Sequence, residues 1–152
     1  MVGFLGQSEH SIDDKGRVAL PARMRRELSP DADETFIAWQ GIEQCVTLIP
    51  KNVWKEKADL LTKLSPFLKD NRIVKRTESR RAERVILDAQ GRISLPRTHI
   101  DHAGLDGEKV VIIGTIDTIE IWDPAILKAE DDAQADSYES LVERVMSKFE
   151  SE

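Results

Sequence analysis

The chain has 152 residues, 40% of them apolar, a formal net charge of −6 and one cysteine. That length holds one compact domain or two very small ones, a lone Cys45 excludes an internal disulfide framework, and no apolar run approaches the roughly 20 residues that cross a bilayer. The acidic sum does not exclude a polyanion partner, because local patches attract phosphate whatever the total: residues 1–26 carry five basic and three acidic side chains, residues 63–84 eight and three, and residues 130–152 two and eight. The opening Met1-Val2-Gly3-Phe4-Leu5 has no basic region and too short an apolar stretch for a secretion signal. These features together predict a cytoplasmic protein with basic islands on its body and an acidic tail.

In chain order, His10–Ile12 and Val18–Leu20 flank a turn, so residues 9–20 predict a β-hairpin with Gly16 in the positive-φ position. Pro21 suits the first position of a short helix over Ala22–Leu28, which Ser29-Pro30-Asp31 ends. Thr35–Trp39 and Cys45–Ile49 predict two strands around Gln40-Gly41, and Pro50 closes the unit. Asn52–Leu64 predicts a helix with Val53, Trp54, Leu60, Leu61 and Leu64 as its buried stripe, broken at Pro66. Asn71–Arg81 predicts a second, strongly basic helix. Arg84–Leu87 and Ile93–Leu95 flank a turn at Gly91, Pro96 opens a helix that stops at Gly104, Lys109–Gly114 and Thr118–Trp122 are strands, and Pro124 closes the series. In the tail, Tyr138, Leu141, Val142, Val145, Met146 and Phe149 fall at 0, 3, 4, 7, 8 and 11, which gives one apolar helical face for core or subunit contact. Asp136 followed by Glu139 resembles a capping box ahead of it.

The two series repeat each other. Residues 13–21 read Asp-Asp-Lys-Gly-Arg-Val-Ala-Leu-Pro and residues 88–96 read Asp-Ala-Gln-Gly-Arg-Ile-Ser-Leu-Pro, in register 75 apart, while Pro50 and Pro124 are 74 apart. One unit of strand, turn, strand, short helix, strand, strand is therefore used twice. The fold class is α+β, with modules at residues 7–54 and 82–126, a helical connector at 55–81 and an acidic helix or tail at 127–152. Halves of this size are marginal alone, so they pack on each other or on other subunits.

The repeated turn invites two readings. Asp13 and Arg17 can lie opposite each other across it, as can Asp88 and Arg92, in an ion pair that shapes the turn. Alternatively the aspartate fixes a guanidinium whose free donors face outward, a fork that suits phosphate or a guanine edge. For Arg17 the two readings stand equal; for Asp13, Asp88 and Arg92 the structural one leads. The first turn carries Lys15 and is followed by Arg23, Arg25 and Arg26, whereas the second has Gln90 there, followed by Arg97, His99 and His102. The first copy is thus the one suited to a polyanion and the second to a scaffold. Enzyme chemistry finds little support. His99 and His102 have i, i+3 spacing but lack a third and fourth ligand and read as surface or cap residues; Cys45 reads as a small core residue. A nucleophile elbow, a Walker loop and a dinucleotide fingerprint are all missing from the sequence.

The paired Asp-x-x-Gly-Arg signatures, Asp13 to Pro21 and Asp88 to Pro96, resemble the MraZ family of bacterial transcriptional regulators linked to the division and cell-wall gene cluster. The resemblance covers nearly the whole chain. It implies two AbrB-like swapped-hairpin modules that form one small pseudo-symmetric β-barrel, and subunits assembled into a homo-oligomeric ring, an octamer or dodecamer. It further implies a nucleoid-associated regulator that reads short repeated guanine-rich boxes in double-stranded DNA upstream of its own operon and commonly represses it. Lys15 and Arg17 match the family's DNA contacts, and Arg92 is the next candidate. Arg23, Arg25 and Arg26 join by local charge, and Asp13, Gly16, Asp88 and Gly91 would orient the turns. The resemblance implies no catalytic residue, cofactor, metal or membrane. The opening Met1 to Gly6 lacks the basic residue that many relatives carry near the start. The alternative from another class is a ring-shaped scaffold whose basic islands meet an acidic protein.

Overall fold

The computed structural model describes residues 3–151, so Met1 and Val2 of the opening segment and Glu152 of the acidic tail lie outside the described residues. Its strands are β1 (Gln7–Ser11), β2 (Arg17–Ala19), β3 (Thr35–Gln40), β4 (Val46–Pro50), β5 (Ala82–Ile86), β6 (Arg92–Ser94), β7 (Lys109–Gly114) and β8 (Ile119–Trp122). The helices are α1 (Ala22–Arg25), α2 (Lys51–Thr62), α3 (Lys69–Arg80), α4 (Arg97–Ala103), α5 (Pro124–Asp132) and α6 (Tyr138–Ser151), with a 3₁₀ turn at Pro30–Ala32. The result is a mixed α+β protein built on antiparallel pairing.

The signature turns decide how the strands pair. The arms of the first turn touch at the Ile12–Val18 bridge and at the bond from Asp13 N–H to the Arg17 carbonyl, then part. Beyond that point β1 pairs with β7, Gln7 opposite Ile113, and β2 pairs with β6, Val18 opposite Ile93. The expectation of a simple hairpin over residues 9–20 is thereby corrected. Local turn chemistry forms the bend, but the apolar residues of each arm are satisfied by strands of the other half. The hydrogen-bonded strands form a six-stranded sheet ordered β1-β7-β8-β4-β3-β5 and a separate two-stranded ribbon β2-β6. Among the described residues they do not form one continuous closed ladder.

Alternation along the short ribbon strands sends Val18 and Ile93 into the core, both essentially inaccessible, and leaves their neighbours outside. Beneath the ribbon lie Phe4, Phe36, Met24, Leu48, Val110, Ile112, Ile119 and Ile121. Phe4 reaches this core because its segment pairs with Ile116 at 2.8 and 2.9 Å. Gly114 admits it: a Cβ there would sit 2.4 Å from the Phe4 carbonyl carbon.

The helices show where local pattern misleads. Pro21 and Pro96 stand at the N-cap rather than at the first helical position. The stripe expected on Asn52–Leu64 is not buried: α2 has no buried residue, and Leu60 is 66% exposed. α2 is held from its middle, where Lys57 Nζ lies 4.2 Å from the Trp39 ring centre, 5.4 Å from that of Trp54 and 2.8 Å from Glu78 of α3. Pro124 does not only close the second series; it opens α5, with Asp123 accepting from Ala125 N–H and Ile126 N–H. The tail helix α6 is capped by Ser137, whose Oγ accepts from Ser140 N–H at 3.2 Å. Asp136, expected as the cap, instead meets Arg144 at 2.8 Å. No helix among the described residues is long and apolar enough to cross a membrane.

Candidate nucleic-acid interface

Each signature turn is organised around one carboxylate. Asp13 Oδ1 accepts from the backbone N–H groups of Lys15 at 3.0 Å and Arg17 at 2.9 Å, and Oδ2 accepts from Arg17 Nε at 2.6 Å. Gly16 N–H closes the turn onto the Asp13 carbonyl at 2.9 Å. The second copy repeats this atom for atom: Asp88 Oδ1 takes Gln90 N–H at 2.8 Å and Arg92 N–H at 3.0 Å, Oδ2 takes Arg92 Nε at 3.0 Å, and Gly91 N–H meets the Asp88 carbonyl at 3.0 Å. This is an Asx-type turn, and it explains why aspartate, glycine and arginine recur at fixed spacing. The backbone amide of Arg17 beside Asp13, and that of Arg92 beside Asp88, hold both carboxyls below the ordinary value of 3.8, with the guanidinium bonds adding to the effect.

A surface ion pair of this kind adds little stability. What it fixes is the orientation of the guanidinium. Nε is spent on the aspartate, and no acceptor among the described residues meets the terminal Nη donors of Arg17 or Arg92. The side chains are 34% and 31% exposed, so each is restrained at its inner edge and open at its outer one. Lys15, at the tip of the first turn, is exposed.

The ribbon brings the two arginines together. Arg17 lies opposite Ser94 and Arg92 opposite Ala19, with the inward pair Val18 and Ile93 between them. Arg17 and Arg92 therefore share the outer face as diagonal neighbours, with backbones about 7–8 Å apart. The sequence marks Arg92 as a candidate and the second copy as the better scaffold; that Arg92 shares a face with Arg17 follows from the pairing of β2 with β6, a long-range fact with no local signal.

The halves also interlock through their glycines. Leu95 N–H donates to the Gly16 carbonyl at 2.9 Å, and Leu20 N–H donates to the Gly91 carbonyl at 3.1 Å. Gly16, φ 76°, lies under Ile100 of α4; Gly91, φ 74°, lies under Arg25 of α1. Arg25 and Ile100 are themselves 75 residues apart, so the repeat offset carried the signal, unread, that these two positions cover opposite turns. Arg25 also donates from Nε to the Leu20 carbonyl at 3.1 Å. A cation from the first half thus sits on the second turn, where Gln90 replaces lysine. A cleft beside it is lined by Arg25, Arg26, Asp88 and Gly91. Arg23 departs from the group: it leans along the start of β1, over Gly6 and towards the Gln7 carbonyl. There it joins burial in lowering the pKa of His10.

The residues weighed for other chemistry are all accounted for by packing. His99 is buried, not a surface residue: its Nε2–H is placed to donate to the carbonyls of Ala38 at 2.8 Å and Arg81 at 3.1 Å. His102 Nε2 meets the Glu43 carbonyl at 3.2 Å. No group of three His, Cys, Asp or Glu side chains among the described residues is placed to hold a metal ion. Cys45 is buried, and burial, helped by the Glu120 charge, pushes its thiol up to about 12, far from a reactive thiolate.

Comparison with known proteins agrees with this duplicated plan. The model of the MraZ protein family matches residues 4–77 and again residues 80–147. A protein of Pelodictyon phaeoclathratiforme named "Transcriptional regulator MraZ" is 36% identical over 151 residues, covering 95% of this chain and 99% of its own. Proteins of the same name from Chlorobium luteolum and Natranaerobius thermophilus are 36% and 34% identical, over 84% and 94% of this chain and 88% and 96% of theirs. With a match on each half and relatives aligned along nearly their whole length, the chain belongs to the MraZ family.

Proposed function

We propose that this chain is a DNA-binding transcriptional regulator, without catalytic activity, that reads short guanine-rich boxes repeated upstream of its own division and cell-wall operon. The observation that carries this is the outer face of the β2-β6 ribbon, where two guanidinium groups are each restrained at Nε by an aspartate and open at their terminal donors. A two-stranded ribbon fits the major groove, and an arginine fork matches guanine O6 and N7, worth about 1–3 kcal/mol of discrimination per good contact. The names of the relatives, transcriptional regulators throughout, favour the same reading. Lys15 and Arg17 are the leading contacts, Arg92 shares their face, and Arg25 supplies charge at the second turn. Arg23 serves flanking phosphate. Asp13, Gly16, Asp88 and Gly91 hold the turns.

The crossing of strands between halves supports reading residues 7–54 and 82–126 as two AbrB-like swapped-hairpin modules that make one pseudo-symmetric barrel, with 55–81 as connector and 127–152 as tail. One ribbon per subunit binds weakly. Several on a ring oligomer, an octamer or dodecamer facing evenly spaced boxes, gain avidity of roughly 10²–10⁴. In the cell such a protein resides on the nucleoid.

The test is retention of DNA from upstream of the encoding gene in a gel-shift assay, against a scrambled fragment. Arg17→Ala abolishes specific retention while the oligomer persists, and retention by the parent falls steeply with salt. Normal binding by Arg17→Ala refutes the reading head. Equal retention of both fragments favours the scaffold alternative.

A further inference from the structure

The β2-β6 ribbon has two ends, and they are not chemically alike. Its ladder runs from Gly16 opposite Leu95 to Leu20 opposite Gly91, so the two turns enter it from opposite ends. Four strand steps separate those ends, about 13 Å, which matches about four base-pair steps of roughly 3.4 Å. The turn backbone is the same at both. Asp13 and Asp88 hold the tip residues Lys15 and Gln90 by the same bond, backbone N–H to Oδ1, at 3.0 and 2.8 Å. Gln90 therefore occupies the position at its end that Lys15 occupies at the other. It is exposed, and its side-chain amide meets no partner among the described residues. The outer face differs in a second place. Ala19, opposite Arg92, and Ser94, opposite Arg17, are the matching positions of the two copies, and both are exposed.

Base chemistry separates the two ends. A lysine ammonium only donates, which suits the acceptor edge of guanine. A glutamine amide donates and accepts at once, and its bidentate partner is adenine, through N6 and N7. The paired thymine carries a methyl group that an alanine contacts, whereas serine serves any base. Gln90 and Ala19 thus favour the same pair, A·T, from the two strands of the ribbon. The charge missing from the second tip stands beside it instead. Arg25 of the first copy covers Gly91, where its counterpart Ile100 covers Gly16. A cation on the flank holds phosphate, and the tip is left neutral for base readout. We infer that Gln90, with the Ala19 methyl beside it, is the specificity-determining residue for an A·T pair at the box end opposite the guanines met by Lys15 and Arg17. The head then sits on its box in one polarity only. This rests on the DNA half of the proposed function and needs nothing of its oligomeric half.

The test is competition in the gel-shift assay, with the full chain and the upstream fragment, one base pair at a time being replaced in every box. For the parent, replacing an A·T pair at the box edge by G·C lowers affinity by about 5- to 150-fold per box engaged, the worth of one bidentate contact. Gln90→Ala removes the discrimination at that pair alone. It leaves the guanine profile and the salt slope as in the parent, since a neutral amide releases no counterion. Gln90→Lys changes the preferred pair there to G·C, and Lys15→Gln changes the preferred pair at the opposite end to A·T. Circular dichroism checks folding, which these exchanges spare because the turn uses the backbone N–H of the tip residue and not its side chain. A parent without an A·T requirement, or a Gln90→Ala profile equal to the parent's, overturns the inference and leaves the DNA reading standing. A Gln90→Ala variant that weakens every sequence equally marks a phosphate contact and overturns it too. A parent that retains the scrambled fragment equally well overturns the DNA reading, and this inference with it.

Discussion

Replacing each turn glycine by alanine tests the interlocking of the halves. Both sit in the left-handed region, φ 76° and 74°, where an added Cβ costs about 1–2 kcal/mol. Their neighbours then separate them. At Gly16 the Cβ would stand 2.8 Å from Ile100 Cδ1 and 3.0 Å from the Leu95 carbonyl oxygen. That carbonyl belongs to backbone already bonded to Gly16, so relief needs a backbone shift, adding about 1–3 kcal/mol as in an overpacked core. At Gly91 the Cβ meets Arg25 at Cζ, 2.5 Å, and Nη1, 2.6 Å. A long side chain can swing away, losing its bond to the Leu20 carbonyl, about 0.5–1.5 kcal/mol. The difference between the variants is about 1 kcal/mol, so Gly16→Ala melts about 2–4 °C below Gly91→Ala for a chain of this size. Thermal denaturation followed by circular dichroism measures both. Binding follows the opposite order of interest: Gly91→Ala ejects Arg25 from the second turn, so a salt titration of DNA retention loses about one phosphate contact from its slope. Equal melting points, or the reverse order, refute the asymmetry of the interlock. An unchanged salt slope refutes the role of Arg25.

Acid sensitivity follows from the turn carboxylates. Asp13 and Asp88 are held below 3.8 in the folded chain, so the unfolded chain binds protons more readily there. Their contribution is full above that value and is lost as pH falls below it. In melting curves taken between about pH 6 and 2.5, the gap between the parent and Asp13→Asn with Asp88→Asn narrows at the acid end; a constant gap contradicts the assignment. His99→Ala leaves the buried Ala38 carbonyl without its side-chain donor and lowers stability by about 1–3 kcal/mol, measured by urea denaturation. A midpoint equal to the parent's means water replaces the imidazole without loss.

Sequence and structure agree where the deciding forces are local. Gly104 ends α4 with φ 63°, as a glycine C-cap does, and Lys109–Gly114 forms a strand with the bounds its residues predict. The Asp–Arg pairing was legible because four residues on a tight turn leave the two side chains few other partners. Partner choice between strands was not: nothing within residues 9–20 distinguishes pairing with β7 from pairing within a hairpin. The leucines of α2 mislead for the same reason. Periodicity reports that Leu60 and Leu61 share a side, but not whether anything in the same chain covers it. His99 shows the converse, since a polar residue reads as surface until two carbonyls from distant strands converge on its ring.

The crossed strands and mutually covered glycines carry a lesson about divisibility. Although the amino-acid text splits cleanly near residue 81, the object it describes does not. A fragment ending there would lack the strand that sheathes β1 and the helix that roofs its own turn. It could regain both only by trading arms with an identical fragment. A duplication that fused two such traders into one polypeptide would turn a bimolecular exchange into an intramolecular one, and free each copy of the signature to drift in charge while its backbone stayed locked to its twin.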